Sequence, residues 1–401
     1  MQFLLPFHDE VPGHGFYREF HRGVTAALRE MGHEAVPFSF AKQYERTPDE
    51  VQSLYRLLAP GRVAAVLDLC CWGHGLSHFL LHKRTGEKVP IYDVFEVPYV
   101  AMLFDHPFNQ TVDRIVAQRL YVTYPDLGHP EQLRAIYPEL RLSGGIFVPP
   151  AIRVGSDCPA AGGADRDVDV LYVGNLAVHA LERFWRDPAN ENWRPMYDAA
   201  VCDAIADAAL AAPELSYHLS VQAAMARLGA QSPGFDLLSQ MRGVEWFLRA
   251  RFRRDAILAL AGSGLRMLVV GRGWESVDLP ASVEHRTQIE YESLLRLPGR
   301  ARICLDCSTY LDGANDRVFT YALNGAACFT NAAGYLRGEF GGDGGVRFYS
   351  MLQLDALAES MRELLARPAA LRAAAEHARA RVLAAHTWRN RLSEILAALG
   401  M

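Results

Sequence analysis

The residues with most chemical promise lie between 301 and 330, ARICLDCSTYLDGANDRVFTYALNGAACFT. Arg317 stands just behind a polar turn of Asp312, Gly313, Ala314, Asn315 and Asp316. The apolar run 302–307 predicts a buried parallel strand. Val318, Phe319, Ala322 and Leu323 then recur at helical spacing. Asn315 or Asp316 caps that helix, Gly325 ends it, and 326–330 reads as the next strand. A helix opening past the carboxyl end of a parallel strand turns bare N–H groups into the crevice where α/β folds bind ligands. A cation in the first turn opposes the helix dipole, so Arg317 is expected to face an anion. That anion is either the diphosphate of a nucleotide sugar or a neighbouring carboxylate, Asp312 or Asp316. A second Gly-rich turn, Gly271, Arg272, Gly273 and Trp274, follows the apolar run 266–270; it reads as a ligand-near loop or as an ordinary strand-end turn.

The other titratable group lies near the start, in the loop after the first apolar run, with His8, Asp9, Glu10 and His14. In a parallel sheet this loop sits at the carboxyl edge. Gly13 and Gly15 flank His14, and a histidine near neutral pKa suits a general base. The plainer reading is a capped loop whose histidine meets only solvent or backbone. Asp105 and His106 are the fallback. Cys304 and Cys307 have Cys-x-x-Cys spacing, but with no second pair they read as core cysteines. Cys70, Cys71, His74 and His78 read more simply as a strand end and the helix after it.

These residues need a scaffold, and the composition supports one. The chain has 401 residues, 50% hydrophobic and 22% charged, enough for two domains with full cores. A net charge of −5 implies no broad basic face for nucleic acid. No run is long and apolar enough to span a bilayer, and the first residues read as a strand and not as a signal peptide. Seven scattered cysteines suit a reducing cytoplasm.

Apolar runs at 2–6, 35–38, 63–70, 89–95, 120–123 and 145–148 alternate with helical patterns at 16–31 and 75–83, which predicts a parallel α/β sheet. Pro149, Pro150 and the Ala/Gly-rich stretch 159–164 read as a linker. A second α/β domain opens at 168–175. Residues 180–260 are too long for one crossover and predict a helical insertion, with a break near Asn192, Trp193, Arg194 and Pro195 and a crowd of arginines, 249, 251, 253 and 254, at a helix end that reads as a solvated face. The tail is Ala/Leu/Arg-rich and helical, with Trp388 as a packing residue.

Five features come in order: DVLYVGN (169–175), RARFRR (249–254), LVVGRGW (268–274), DGANDRVFTYALNGA (312–326) and HTWRNR (386–391). Together they resemble bacterial GT-B glycosyltransferases with a spore-maturation-protein-like, group 1 C-terminal domain, over roughly 167–400. The resemblance implies two Rossmann-like parallel-sheet domains: an acceptor-side domain over 1–158, a nucleotide-sugar domain over 166–375, and a C-terminal helix, 376–401, crossing back. It implies transfer of a sugar to a glycan, lipid-linked or protein acceptor without a metal or other cofactor. Donor-side residues would be Asn175, Arg272, Gly273, Asp312, Gly313, Asn315, Arg317 and Thr320. His14, Asp9 or Asp105 would act as base across an interdomain cleft. Many relatives carry a Glu where this chain has Thr320. That departure leaves open a non-catalytic nucleotide-sugar-binding protein, and the fold leaves open a sugar-nucleotide epimerase.

Overall fold

A computed structural model describes residues 1–8, 15–40, 47–81, 86–153, 166–187, 196–229, 237–287, 289–331, 334–341 and 345–401. The expected loop residues Asp9, Glu10 and His14, the linker 159–164 and the break at 192–195 lie outside these. The chain divides into two compact units, Met1–Arg153 with Thr387–Met401, and Val154–His386.

In the first unit the elements run β1 (Gln2–His8), α1 (Gly15–Glu30), β2 (Glu34–Phe40), α2 (Pro48–Leu58), β3 (Val63–Leu69), β4 (Phe79–Leu81), β5 (Lys88–Pro90), α3 (Ile91–Val94), β6 (Tyr99–Met102), β7 (Leu120–Tyr124), α4 (His129–Ile136) and β8 (Gly144–Phe147). Six strands form one sheet in the order β2-β1-β3-β6-β7-β8, and every neighbouring pair is parallel. The strands are apolar on both faces because helices cover both. Phe3, Leu5, Leu67 and Leu69 pack with Tyr17, Phe20, Val24 and Leu28 of α1. Leu4, Val66 and Ala101 pack the other way, with Leu54 and Leu58 of α2.

The second unit runs β9 (Val168–Val173), α5 (Ala199–Ala211), α6 (Tyr217–Leu228), α7 (Leu237–Ala261), β10 (Met267–Val270), β11 (Val283–Arg286), α8 (Tyr291–Arg296), β12 (Ala301–Leu305), α9 (Asp316–Leu323), β13 (Ala327–Thr330), α10 (Gly334–Phe340), β14 (Val346–Phe348), α11 (Leu354–Leu365) and α12 (Pro368–Ala385). Its sheet is also parallel throughout, in the order β11-β10-β9-β12-β13-β14. Helices α5, α6 and α7 occupy the expected insertion between β9 and β10.

The last helix, α13 (Trp388–Ala398), belongs to the first unit. Position 376 falls inside α12, and the chain passes between units at Thr387. A capping box fixes that point: Thr387 Oγ1 accepts from Asn390 N (3.4 Å) and Asn390 Oδ1 from Thr387 N (3.1 Å). Trp388 is buried edge-on against Phe20 (5.2 Å between centroids) and Phe104 (5.9 Å). A Cβ at Gly23 of α1 would overlap the Trp388 indole, so glycine lets the two helices meet.

Two sequence expectations fail between 72 and 95. The helix expected over 75–83 is a 3-10 turn, Trp72–Leu76, followed by β4. The strand expected over 89–95 is β5 and the single turn α3. Antiparallel pairing of Phe79 with Pro90 and Leu81 with Lys88 outweighs the local helical pattern. The arginines at 249–254 lie in the body of a 25-residue helix and not at its end.

Candidate functional site

The second sheet puts its first strand, β9, between its second, β10, and its fourth, β12. Strand order therefore reverses between β9 and β12, and a crevice at such a reversal is where open α/β sheets bind ligands. Three chain segments leave the sheet's carboxyl edge here. They are Val173, Gly174 and Asn175 after β9, Gly271 to Trp274 after β10, and Asp306 to Leu311 after β12.

The first two segments are tied together. Leu176 N donates to Arg272 O (2.8 Å), and Trp274 Nε1 donates to Gly174 O (2.8 Å). Asn175 Oδ1 accepts from Arg272 N (2.9 Å). Gly273 has φ +90°, and a Cβ there would overlap Leu176 O. The freedom of this glycine thus lets the turn close against the chain's own Leu176 carbonyl. Gly273→Ala should destabilise the protein by more than about 1 kcal/mol and displace Asn175. Thermal unfolding checks the first effect and donor affinity the second.

Asp306 is the residue that sequence reasoning missed. It is fully buried, with Oδ1 accepting from Asn315 Nδ2 (2.9 Å) and Oδ2 from Thr330 Oγ1 (2.8 Å). Asn315 also caps α9 as expected, its Oδ1 accepting from Arg317 N (2.9 Å). Arg317 does face an anion, and its ion pair is with the buried Asp306: its Nε lies 3.1 Å from Asp306 Oδ1, while Asp316 adds to the negative charge around it. Its other nitrogens donate to Val173 O (3.2 Å) and Cys307 O (3.5 Å), spanning the β9 and β12 exits. Burial pushes the Arg317 pKa down, but Asp306, Tyr172, Tyr321 and Asp316 together more than offset this and hold it above its ordinary value. Burial pushes the Asp316 carboxyl up. The charge sign to find Asp306 was present in the sequence, an acid inside the apolar run 302–307.

Arg253 enters from α7 and donates to Asn175 O (2.7 Å). Its Nε is buried without a hydrogen bond, and no carboxylate among the described residues lies within ion-pair distance of it. Burial lowers its pKa, with Tyr172 opposing and Arg317 and Arg249 adding to the shift. Arg249, one turn away, pairs with buried Glu245 (2.6 Å), whose same oxygen accepts from Thr309 (2.8 Å). Between Arg253 and Arg317 lies Tyr172, buried, its hydroxyl without a partner; burial pushes it up to about 12, against the pull of Arg253 and Arg317. Arg317 and Arg249 each have a carboxylate partner and Arg253 has none among the described residues, a costly state that an anion would relieve.

Asp312 lies against the start of α10, where a Cβ on Gly334 would overlap its side chain. Gly313 is buried and Thr320 half-buried. Arg272 is exposed. Cys304 and Cys307 are buried free thiols, with Cys307 pushed up to about 12 by burial.

In the first unit, Asp105 is half-buried past the end of β6, and its Oδ1 accepts from His106 N (2.8 Å). His106 is buried, stacked on Phe108 (4.9 Å), with Nδ1 3.1 Å from His129 Nε2. Burial holds His129 well below the usual histidine range, and His106 lowers it further. Cys70 and Cys71 both adopt positive φ (60° and 57°), just after β3; His74 bonds Cys71 O (2.9 Å) and His78 bonds Leu76 O (2.8 Å). Asp68 of β3 accepts from Tyr99 OH (2.6 Å) and Gly73 N (2.8 Å). Burial raises it to about 7 in spite of those two donors. An acid whose pKa is raised on folding contributes stability at low pH that fades as pH rises through about 7. Asp68→Asn should remove that decline, so that its stability relative to the native chain improves between pH 4 and pH 8; denaturant unfolding at the two pH values checks this.

Residues 245–397 match a family model described as "Glycosyl transferase-like". Solved structures align over the whole chain. An alpha-glucosyltransferase in complex with UDP-glucose and DNA containing an abasic site has TM-score 0.56 and 10% identity, covering 100% of both chains. A sucrose-phosphate synthase from Thermosynechococcus elongatus has TM-score 0.54 and 11% identity, covering 100% of this chain and 99% of that one. AviGT4, a glycosyltransferase involved in avilamycin A biosynthesis, has TM-score 0.52 and 13% identity, covering 100% and 97%. No curated protein sequence matches significantly. The fold is that of the GT-B glycosyltransferases, two Rossmann-like parallel-sheet domains. Within the second unit and the last helix, residues 245–397 carry the glycosyl transferase-like family match. Among the described residues no helix is long and apolar enough to cross a membrane.

Proposed function

We propose that the chain transfers a sugar from a nucleotide-sugar donor to a glycan, lipid-linked or protein acceptor, with the leaving diphosphate held at the β9/β12 edge without a metal. The observation that carries this is the uncompensated charge of Arg253 beside Arg317 at the strand-order reversal. In the reaction the bond from the anomeric carbon to the diphosphate oxygen breaks, and its electron pair leaves with the diphosphate. A bond from the acceptor oxygen to the anomeric carbon forms, and the acceptor's proton passes to a base. Arg253, Arg317 and the first amides of α9 stabilise the growing negative charge. Asn175, Arg272, Gly273, Asp312, Gly313, Asn315 and Thr320 line the donor side. Asp105, or Asp9 or His14 beyond the described residues, takes the proton if the anomeric configuration inverts. The net charge of −5 does not suit a polyanionic acceptor.

Incubation with UDP-, GDP-, dTDP- and CMP-sugars, with melting followed in parallel, tests this. One donor should raise the melting temperature and be hydrolysed or transferred. Thr320, in place of the usual Glu, favours a second reading, a non-catalytic binder. Stabilisation with no turnover against any acceptor would select that reading. An isomerised sugar without acceptor would select an epimerase.

A further inference from the structure

Tyr172 stands near the end of β9, the strand at the order reversal of the second sheet. Residues two apart on a strand share a face, so its ring lies on the side where Gly174 has no side chain. A Cβ on Gly174 would come within 2.6 Å of the Tyr172 hydroxyl and 3.1 Å of Arg317 Nη1. Gly174 is not among the glycines with positive φ, so glycine is required here for space and not for the backbone. Trp274 holds the ring: it meets Tyr172 edge-on (5.6 Å between centroids) and is itself fixed by Nε1 donating to Gly174 O (2.8 Å). Tyr172 is fully buried, and its hydroxyl has no hydrogen-bond partner among the described residues. A buried hydroxyl left unpaired costs the fold. Phenylalanine would fill the same ring site without that cost, so nothing in the described fold accounts for the oxygen.

We propose that, on the reading that this edge holds the donor's diphosphate, the Tyr172 hydroxyl is a further binding group of that site, donating a hydrogen bond to a phosphate oxygen that rests over Gly174. The missing Cβ lets a ligand come close at this point, beside the hydroxyl and Arg317 Nη1. Arg253 and Arg317 both act on Tyr172 and draw an anion to it. A hydrogen bond to an anion is roughly twice as strong as one between neutral groups. Burial pushes the phenol up to about 12, against the pull of the two arginines, so at neutral pH it donates and keeps its proton. No bond of the tyrosine forms or breaks in the transfer. An uncharged nucleoside offers this hydroxyl no phosphate and gains nothing from it.

The test is calorimetric titration of UDP, GDP and dTDP, each beside its nucleoside, into the full chain and its Tyr172→Phe variant, with Arg253→Gln alongside. The diphosphate that binds the native chain should bind Tyr172→Phe at least about tenfold more weakly, the scale of a hydrogen bond to a charged group. Nucleoside affinity should not change, and melting should stay the same or rise. Gly174→Ala, which crowds the same hydroxyl, should weaken the diphosphate in the same direction. A Tyr172→Phe chain that melts early, or that loses nucleoside and diphosphate alike, marks a packing role and overturns the proposal. So does a diphosphate that Arg253→Gln weakens and Tyr172→Phe does not; the donor site then stands without the tyrosine. A native chain that binds none of the three diphosphates overturns both.

Discussion

Arg253→Gln should lower kcat/KM for the nucleotide-sugar donor by ~10²–10³-fold, the scale of losing one preorganised donor to a developing negative charge, while thermal unfolding stays unchanged or rises. The two readouts separate a ligand role from a structural one. Among the described residues Arg253 makes a single hydrogen bond, to Asn175 O, and has no carboxylate within ion-pair distance. Such a group costs the folded state and is retained for what it binds; functional sites commonly trade stability in this way. Glutamine keeps the length and one donor, so the Asn175 loop should hold. A variant that melted early would mark Arg253 as structural.

Arg317→Met should behave in the opposite way, destabilising the fold by about 3–5 kcal/mol because it strands a buried charge. Asp306 is fully buried and Arg317 is one-fifth exposed, 3.1 Å apart, so the aspartate would lose its cation inside the protein. For a domain of this size the melting temperature should fall on the order of 10 °C. Asp306→Asn in the same chain should restore much of the loss, since the stranded charge is then gone. Activity should fall in both, because Arg317 also ties the β9 exit to the β12 exit through Val173 O and Cys307 O. Without recovery in the double variant, the ion pair would not be the source of the loss.

These two arginines mark what the sequence did and did not reveal. The strand–helix alternation was legible because apolar runs and helical periods follow directly from burial on both faces of a parallel sheet. The Asn315 cap was legible because its function is local. The partner of Arg317 was not, since Asp306 is eleven residues away and one strand over, while Asp312 and Asp316 lay nearer in sequence. Arg253 was read with its neighbours as a solvated face. Its spacing of four from Arg249 was the available signal, for it puts those two on one side of α7 and Arg251 on another. The helix α2 was overlooked although Thr47 and Glu50 form a capping box, visible as T-x-x-E. The region 72–95 misled for a different reason: a three-residue strand has too few positions to show its period, and only pairing across the hairpin decides it.

The measurement closest to the central claim is calorimetric titration of UDP, GDP and dTDP, each beside its parent nucleoside, into the native chain and Arg253→Gln. One diphosphate should bind the native chain at least about a hundredfold more tightly than its nucleoside, and this ratio should collapse in the variant. A ratio that the substitution leaves intact, or a native chain indifferent to all three diphosphates, would contradict it.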